Sequence, residues 1–401
     1  MIGYQEFARL CQSRDSNERG HAAHLAALAY LDHDGPADEQ AALYAALIGF
    51  LDDPSVKVRA ALAYGLLHAA QAPRPIILAL MRDSAVIARA VLQYSPVLVD
   101  ADLIGVVQHG ETECLLAIAQ RPKLSPRLAG ALLGRGERLL SLKVLKRMDV
   151  AIEGAVLDRL AAEQGTDAEF RGALLARREL GGEARLGLVK AAVTALKGCR
   201  IVRGALAPER LESVLRNGTD TAISVIGETE LRRPASAYVA QLVGSDRLNT
   251  RLLLHAMVTG HVLFFAACIA ELAEIAAPKT FSILENGGRP ALRALFARAG
   301  LVPALANLLV RLVLHARAAD LADDVAARHF VVTALTDDLI AEYDGDIPLE
   351  LEEAFAYLGE QNIALARQAA RGVMAAFALT TDAPLALGPA TGEERLQLPA
   401  A

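Results

Sequence analysis

Two stretches of this 401-residue chain repeat each other thirty positions apart. Asp53-Pro54-Ser55-Val56-Lys57-Val58-Arg59-Ala60-Ala61-Leu62-Ala63-Tyr64 aligns without a gap on Asp83-Ser84-Ala85-Val86-Ile87-Ala88-Arg89-Ala90-Val91-Leu92-Gln93-Tyr94. Asp, Val, Arg, Ala, Leu and Tyr recur in register. Self-similarity at a fixed period of this length marks stacked supersecondary units, none of which can bury its apolar face alone. A second register follows. Val106-Val107-Gln108-His109-Gly110-Glu111 aligns on Leu132-Leu133-Gly134-Arg135-Gly136-Glu137, and the same offset pairs Leu116 with Leu142, Ile118 with Val144 and Arg121 with Arg147. A period drifting between about 25 and 35 residues is what helical hairpins of varying length produce.

The composition identifies the unit as helical. Hydrophobic residues make up 53% of the chain, aromatics 4%, and there is no Trp, so the apolar mass is Ala and Leu. Both are strong helix formers, and small side chains let helices pack closely. No stretch sustains strand alternation, so an all-α chain is expected. Asp53-Pro54, Asp83-Ser84, Ser125-Pro126 and Ala207-Pro208 read as helix starts. Gly110, Gly136, Gly165, Gly181-Gly182 and Gly287-Gly288 read as stops and turns.

Leu252 to Ala270 carries no Asp, Glu, Lys or Arg, but His255, Thr259, Gly260 and His261 interrupt it. A membrane span needs about 20 continuous apolar residues, so two buried helices broken at Gly260 are expected, and no span. The four cysteines, at 11, 114, 199 and 268, are far apart and form no C-x-x-C. That pattern argues against zinc or a disulfide framework and fits a cytoplasmic protein. The N-terminus has no basic stretch leading into an apolar one, and so reads as lacking a secretory signal.

Charge is distributed unevenly. Residues 120–235 hold 21 basic and 14 acidic side chains, whereas residues 320–360 hold 1 and 12. Asp320 to Arg371 reads as long amphipathic helices with an acidic face, able to act as a flap over the basic middle. From about Thr380 onward, Pro, Gly, Ala and Thr accumulate as in a disordered tail. The expected division is 1–205, N-terminal repeats; 206–318, further helical repeats; 319–378, acidic C-terminal helices; and 379–401, tail.

Leu51-Asp52-Asp53-Pro54-Ser55-Val56-Lys57-Val58-Arg59, with Ala60-Ala61-Leu62 after it, resembles the second helix of a HEAT repeat. In that family Asp and Arg form a ladder between neighbouring repeats, while Val and Leu fill the core. Asp53, Val56, Arg59 and Leu62 match, as do Asp83, Val86, Arg89 and Leu92. The resemblance implies an α-solenoid of helical hairpins and is nearly silent on function. A second resemblance, from about 50 to about 310, is to an uncharacterised bacterial family, domain of unknown function 2336. It rests on Tyr94-Ser95-Pro96-Val97-Leu98, Asp102-Leu103-Ile104, Ala117-Ile118-Ala119-Gln120-Arg121, Gly260-His261-Val262-Leu263-Phe264-Phe265 and the segment Ala291 to Leu301. It implies a soluble, HEAT-like bacterial protein and brings no site.

Catalytic chemistry finds little support in the residues. There is no G-x-S-x-G, no Cys paired with a His motif and no phosphate-cradling Gly loop. His21 and His24 share a helix face near Asp32, His33 and Asp34, but no His-Glu pair repeats through the hairpins, so no metal is expected. No cofactor is implied. Arg59 and Arg89 read as structural, each bonded to a neighbouring repeat. The basic middle offers a partner-binding set: Lys143, Lys146, Arg147, Arg177, Arg178, Lys197, Arg200 and Arg203. The expected function is a non-catalytic scaffold or regulatory adaptor whose groove holds an acidic or phosphorylated protein segment. The alternative is a HEAT-like nucleic-acid-binding or DNA-repair protein using the same charges. Scarce aromatics and a chain pI of about 5.9 weigh against it.

Overall fold

The computed structural model describes residues 4–233, 236–319, 321 and 324–380. The expected tail beyond Thr380 lies outside them. Among the described residues the chain is all-α, and it divides into two compact units, 1–199 and 200–401. The first contains α1 (Tyr4–Cys11), α2 (Ser16–Leu31), α3 (Ala37–Leu51), α4 (Val56–Leu66), α5 (Arg74–Leu80), α6 (Ala85–Tyr94), α7 (Asp100–His109), α8 (Thr112–Ala119), α9 (Pro126–Gly134), α10 (Arg138–Leu145), α11 (Gly154–Gln164), α12 (Ala168–Leu175) and α13 (Gly182–Gly198). The second contains α14 (Arg200–Ala205), α15 (Pro208–Glu230), α16 (Tyr238–Gly244), α17 (Thr250–Val258), α18 (Val262–Ala273), α19 (Ala277–Asn286), α20 (Arg289–Arg298), α21 (Pro303–Ala316), α22 (Val325–Glu342) and α23 (Leu349–Thr380).

In the first unit every second helix packs on the next in one continuous row: α2, α4, α6, α8, α10, α12. Leu62, Leu66, Ile87, Val91, Leu115, Ile118, Leu140, Val144 and Leu174 fill the core along it. Two polar ladders run along its edges. At the edge where these helices begin, Arg19 meets Asp53 at 2.7 Å, Arg59 meets Asp83 at 2.6 Å, and Arg89 meets Glu113. Thr112 donates to Glu137 at 2.9 Å, and Arg138 meets both Asp167 and Glu169. These bonds link α2 through to α12. The Arg19 and Arg59 guanidiniums hold the Asp53 and Asp83 carboxyls below the usual carboxylate range.

The opposite edge is held by arginines that bond to backbone. Arg121, just past α8, donates to the carbonyls of Leu92 and Ser95 at the end of α6. Arg147, past α10, donates to those of Ala119 and Arg121, and Arg177, past α12, to those of Arg147 and Val150. The final carbonyls of a helix have no partner within it, so each arginine satisfies groups that would otherwise be orphaned. Because the last turns of α6, α8, α10 and α12 share one edge, these helices run in the same direction. At their C-terminal ends the guanidiniums of Arg121, Arg147 and Arg177 are opposite in sign to the helix dipole they face.

The first ladder explains two departures from the sequence reading. Asp53 and Asp83 do not cap α4 and α6. The helices begin after Ser55 and Ser84, while each Asp is drawn to an arginine of the preceding hairpin and accepts only the N–H of the turn, at 2.8 Å for Ser55. Ser125 does cap α9, accepting from the Leu128 N–H at 3.1 Å with Pro126 in the first helical position.

The second unit is organised around α17, which packs on α15, α18, α21 and α23. Arg251 to Val258 are buried on every side, as in a core helix rather than an amphipathic one. Gly260, at φ +84°, takes the left-handed turn that separates α17 from α18, where the sequence placed a break. Gly227 of α15 lies against the Phe264 ring of α18, so close that a Cβ there would stand 2.1 Å from it. Among the described residues no helix is long and apolar enough to cross a membrane. The segments expected as separate, 206–318 and 319–378, share this one core: Val331, Leu335, Leu339, Leu351, Leu358 and Leu365 turn the apolar faces of α22 and α23 inward. The carbonyl-bonding device recurs where Arg298 reaches Ala273 and Arg317 reaches Leu284.

Candidate interaction site

The repeat leaves large apolar side chains outside the core at matching places. Val56 and Val86 begin α4 and α6, Tyr64 and Tyr94 lie towards their ends, and all four are exposed, Tyr64 by 69% and Tyr94 by 41%. This corrects the HEAT-based expectation that Val56 and Val86 fill the core; Leu62 and Leu92 do fill it as expected, and Val58 and Ile87 are buried in place of the two valines. Eight residues of helix span ~12 Å, and packed helices lie ~9 Å apart, so the four side chains mark out a patch of about those dimensions. His24 stands beside the Tyr64 ring at 5.6 Å and His68 beside Tyr94 at 5.3 Å.

Tyr94 also lines a cleft of about 610 Å3 between the α6–α7 and α8–α9 connections. Pro96, Leu98, Leu103, Pro122 and Leu124 supply apolar walls, and Asp100, Arg121, Lys123 and Ser125 the polar ones. Ser125 donates its hydroxyl to Asp100 at 2.5 Å. Arg121 is only 8% exposed, and burial pulls its pKa down, with Asp100 acting in opposition. It spends two of a guanidinium's five N–H bonds on the Leu92 and Ser95 carbonyls. Among the described residues no carboxylate lies within ion-pair distance of it. Lys123 is exposed.

The residues expected to bind a partner have mixed fates. Arg177 is a correction: at 1% exposure it is a ladder residue, bonded to two carbonyls and to Glu179 at 3.1 Å. Arg147 is likewise committed to the carbonyls of α8 and to Asp149. Lys146 pairs with Glu169 at 2.7 Å. Lys143 is half-buried in the last turn of α10, while Arg178 and Lys197 are exposed. Arg200 and Arg203, also exposed, lie on α14, in the second unit. Much of the basic excess thus serves to join hairpins.

The second unit holds a polar cluster that sequence reading missed. Arg251 reaches Asp220 at 2.9 Å, Asn217 at 2.6 Å and Glu360 at 2.9 Å, with its guanidinium 5.0 Å from the Tyr357 ring centre. Gln361 donates to Asn217 at 3.0 Å. One turn along α17, His255 lies 2.9 Å from the Thr221 hydroxyl and 3.1 Å from that of Tyr357. Thr221 donates to the Asn217 carbonyl at 2.8 Å, so Nε2 of His255 donates to Thr221 and Nδ1 accepts from Tyr357. That direction is the reverse of an activated nucleophile, in which the hydroxyl would donate to the imidazole. Burial pushes His255 down to about 4, and pushes the Asp220 carboxyl and the Tyr357 phenol up. The cluster ties α23 to α15 and α17.

Residues 87–342 match a family described as an uncharacterised protein conserved in bacteria (DUF2336). The chain belongs to this family. No curated protein and no solved structure matches it. The family match begins and ends later than the span read from the sequence. It contains the whole cleft from Tyr94 to Ser125, together with α15 and α17, but stops before α23 and its residues Tyr357, Glu360 and Gln361.

Proposed function

We propose that this chain is a non-catalytic interaction protein of the cytoplasm, a scaffold or regulatory adaptor built on a HEAT-like α-solenoid, and that it binds a partner protein across the row formed by α4, α6 and α8. The observation that carries this reading is the exposed pair of tyrosines repeated on adjacent helices, one of which opens into the cleft. Tyrosine at a solvent-facing repeat position supplies contact area at small entropic cost, and such residues anchor protein interfaces. The ladders support the reading further by fixing the spacing between successive helices, so that the surface is preorganised. The nucleic-acid alternative draws less support, because Arg147 and Arg177 are committed to backbone carbonyls and Lys146 to Glu169.

The test uses the full chain as bait in bacterial lysate, with and without nuclease, at low and moderate salt, beside Tyr64→Glu and Tyr94→Glu. A protein held in near-stoichiometric amount by the parent and lost from both variants is expected. Recovery of nucleic acid with steep salt dependence, or equal recovery by parent and variants, overturns the reading.

A further inference from the structure

We infer that the cleft between the α6–α7 and α8–α9 connections is the docking site for an acidic, apolar-flanked segment of the partner protein, whose side-chain carboxylate lies against Arg121 and Lys123. This rests on the interaction reading above and names the chemistry of what is bound. The argument begins from the state of Arg121. A buried guanidinium is costly unless its charge and its N–H groups are satisfied. Arg177, its counterpart two hairpins on, reaches a carboxylate, that of Glu179, as well as two carbonyls. Among the described residues Arg121 has the two carbonyls alone, with three N–H bonds left at the wall of an open cleft. The ladder is thus complete in its structural part and incomplete in its charge at the one arginine that lines the cleft.

The other walls define the rest of the ligand. Lys123 adds a second cation, and the single carboxylate present, Asp100, accepts the Ser125 hydroxyl, which leaves an excess of one positive charge. Tyr94, Leu98 and Leu103 offer apolar surface beside these cations. A bare anion would satisfy the cations and leave that surface wet; a purely apolar segment would cover it and strand the guanidinium. A carboxylate between apolar neighbours satisfies both, with charge-assisted bonds of the stronger kind.

The inference is tested with fluorescein-labelled, end-capped peptides carrying a Leu-Glu-Glu-Leu core, compared by anisotropy with Leu-Gln-Gln-Leu and Leu-Lys-Lys-Leu peptides and with inorganic phosphate as competitor. The full chain is expected to bind the Glu peptide at least about tenfold more tightly than the Gln peptide, a difference on the scale of one charge-assisted contact. Lys123→Glu and Tyr94→Ala, both exposed positions, are each expected to weaken it by about tenfold while melting like the parent. Equal affinity for Glu and Gln peptides, no binding of either, undiminished binding by Lys123→Glu, or full displacement by inorganic phosphate would each overturn the assignment. The two readings fail differently. If Tyr64→Glu abolishes capture of the partner and Lys123→Glu does not, the patch stands and the cleft assignment falls. If neither change affects capture, the interaction reading falls.

Discussion

The first unit carries its buried arginines at its edges; the second adds one at its centre. In the first, Arg19, Arg59, Arg121, Arg147 and Arg177 sit at the edges of a row of hairpins, and each reaches a group only 24 to 34 residues away. In the second, Arg251 sits at the centre, and its contact with Glu360 spans 109 residues; Gln361 reaches Asn217 across 144. The first arrangement makes cohesion a sum of nearest-neighbour terms, so damage stays local. The second makes it depend on bringing distant segments together, which is cooperative and slow to form.

The largest effect that would sharpen this contrast is expected from Arg251→Ala. It leaves Asp220 facing an apolar helix without its cation and Glu360 with only the longer contact to Arg216 at 3.8 Å, at a cost of about 3–5 kcal/mol. In chemical denaturation the transition of residues 200–401 should move while that of residues 1–199 stays; a shift of both equally would break the comparison. Next is acid. Above pH ~6.5 His255 is neutral folded and unfolded, and nothing is lost. As pH falls towards about 4, the unfolded chain takes a proton that the folded chain refuses, so stability declines across that window and the loss is complete below it. The decline is on the order of 3 kcal/mol, read from urea midpoints against pH. His261, also held down by burial, adds to it, and Asp220, pushed up, opposes it towards the acid end. His255→Gln should shrink the window's slope; an unchanged slope would show that the imidazole is not buried neutral.

The first unit should respond more weakly and more locally. Arg177→Ala orphans the carbonyls of Arg147 and Val150, costing about 2 kcal/mol. Hydrogen exchange should quicken in α10 to α13 while α2 to α6 keep their protection; a uniform loss would show that the row unfolds as one body. The smallest effect separates two rungs that look alike in the repeat. Arg59→Ala breaks a half-buried pair and should cost about 1 kcal/mol, whereas Arg89→Ala breaks an exposed one and should cost less than about 0.5 kcal/mol.

The same contrast explains what could be read from the sequence. Asp53 and Asp83 recur because each must meet an arginine of the hairpin before it; the HEAT resemblance implies such a begin-edge ladder, while the local Asp-Pro and Asp-Ser pairs by themselves read as helix caps. The end-edge ladder was half visible. Arg121 and Arg147 align, but Arg177 reads as a surface charge beside Arg178 in a basic stretch; its place 30 residues after Arg147 is the signal that it continues the series. The central cluster left almost no trace, since neither Tyr357 nor Glu360 stands in any periodic relation to α17. Its one local sign was a cation and an imidazole one turn apart, Arg251 and His255, on a helix otherwise apolar all round. The cleft was legible as a family resemblance on Tyr94 to Leu98 and Ala117 to Arg121, yet not as a cavity, because it forms only when two connections are set side by side.

The begin-edge ladder has a consequence for the length of such chains. Since the first two rungs offer the same aspartate to an arginine of the hairpin before, the number of such rungs is free to change. A chain lacking residues 54–83 would place Asp53 directly ahead of Ser84, and Arg19 would meet there the partner it already has. A lineage could lose or duplicate a whole hairpin at such a seam without stranding a charge, and so vary how far its binding face extends while leaving each rung's chemistry as it was.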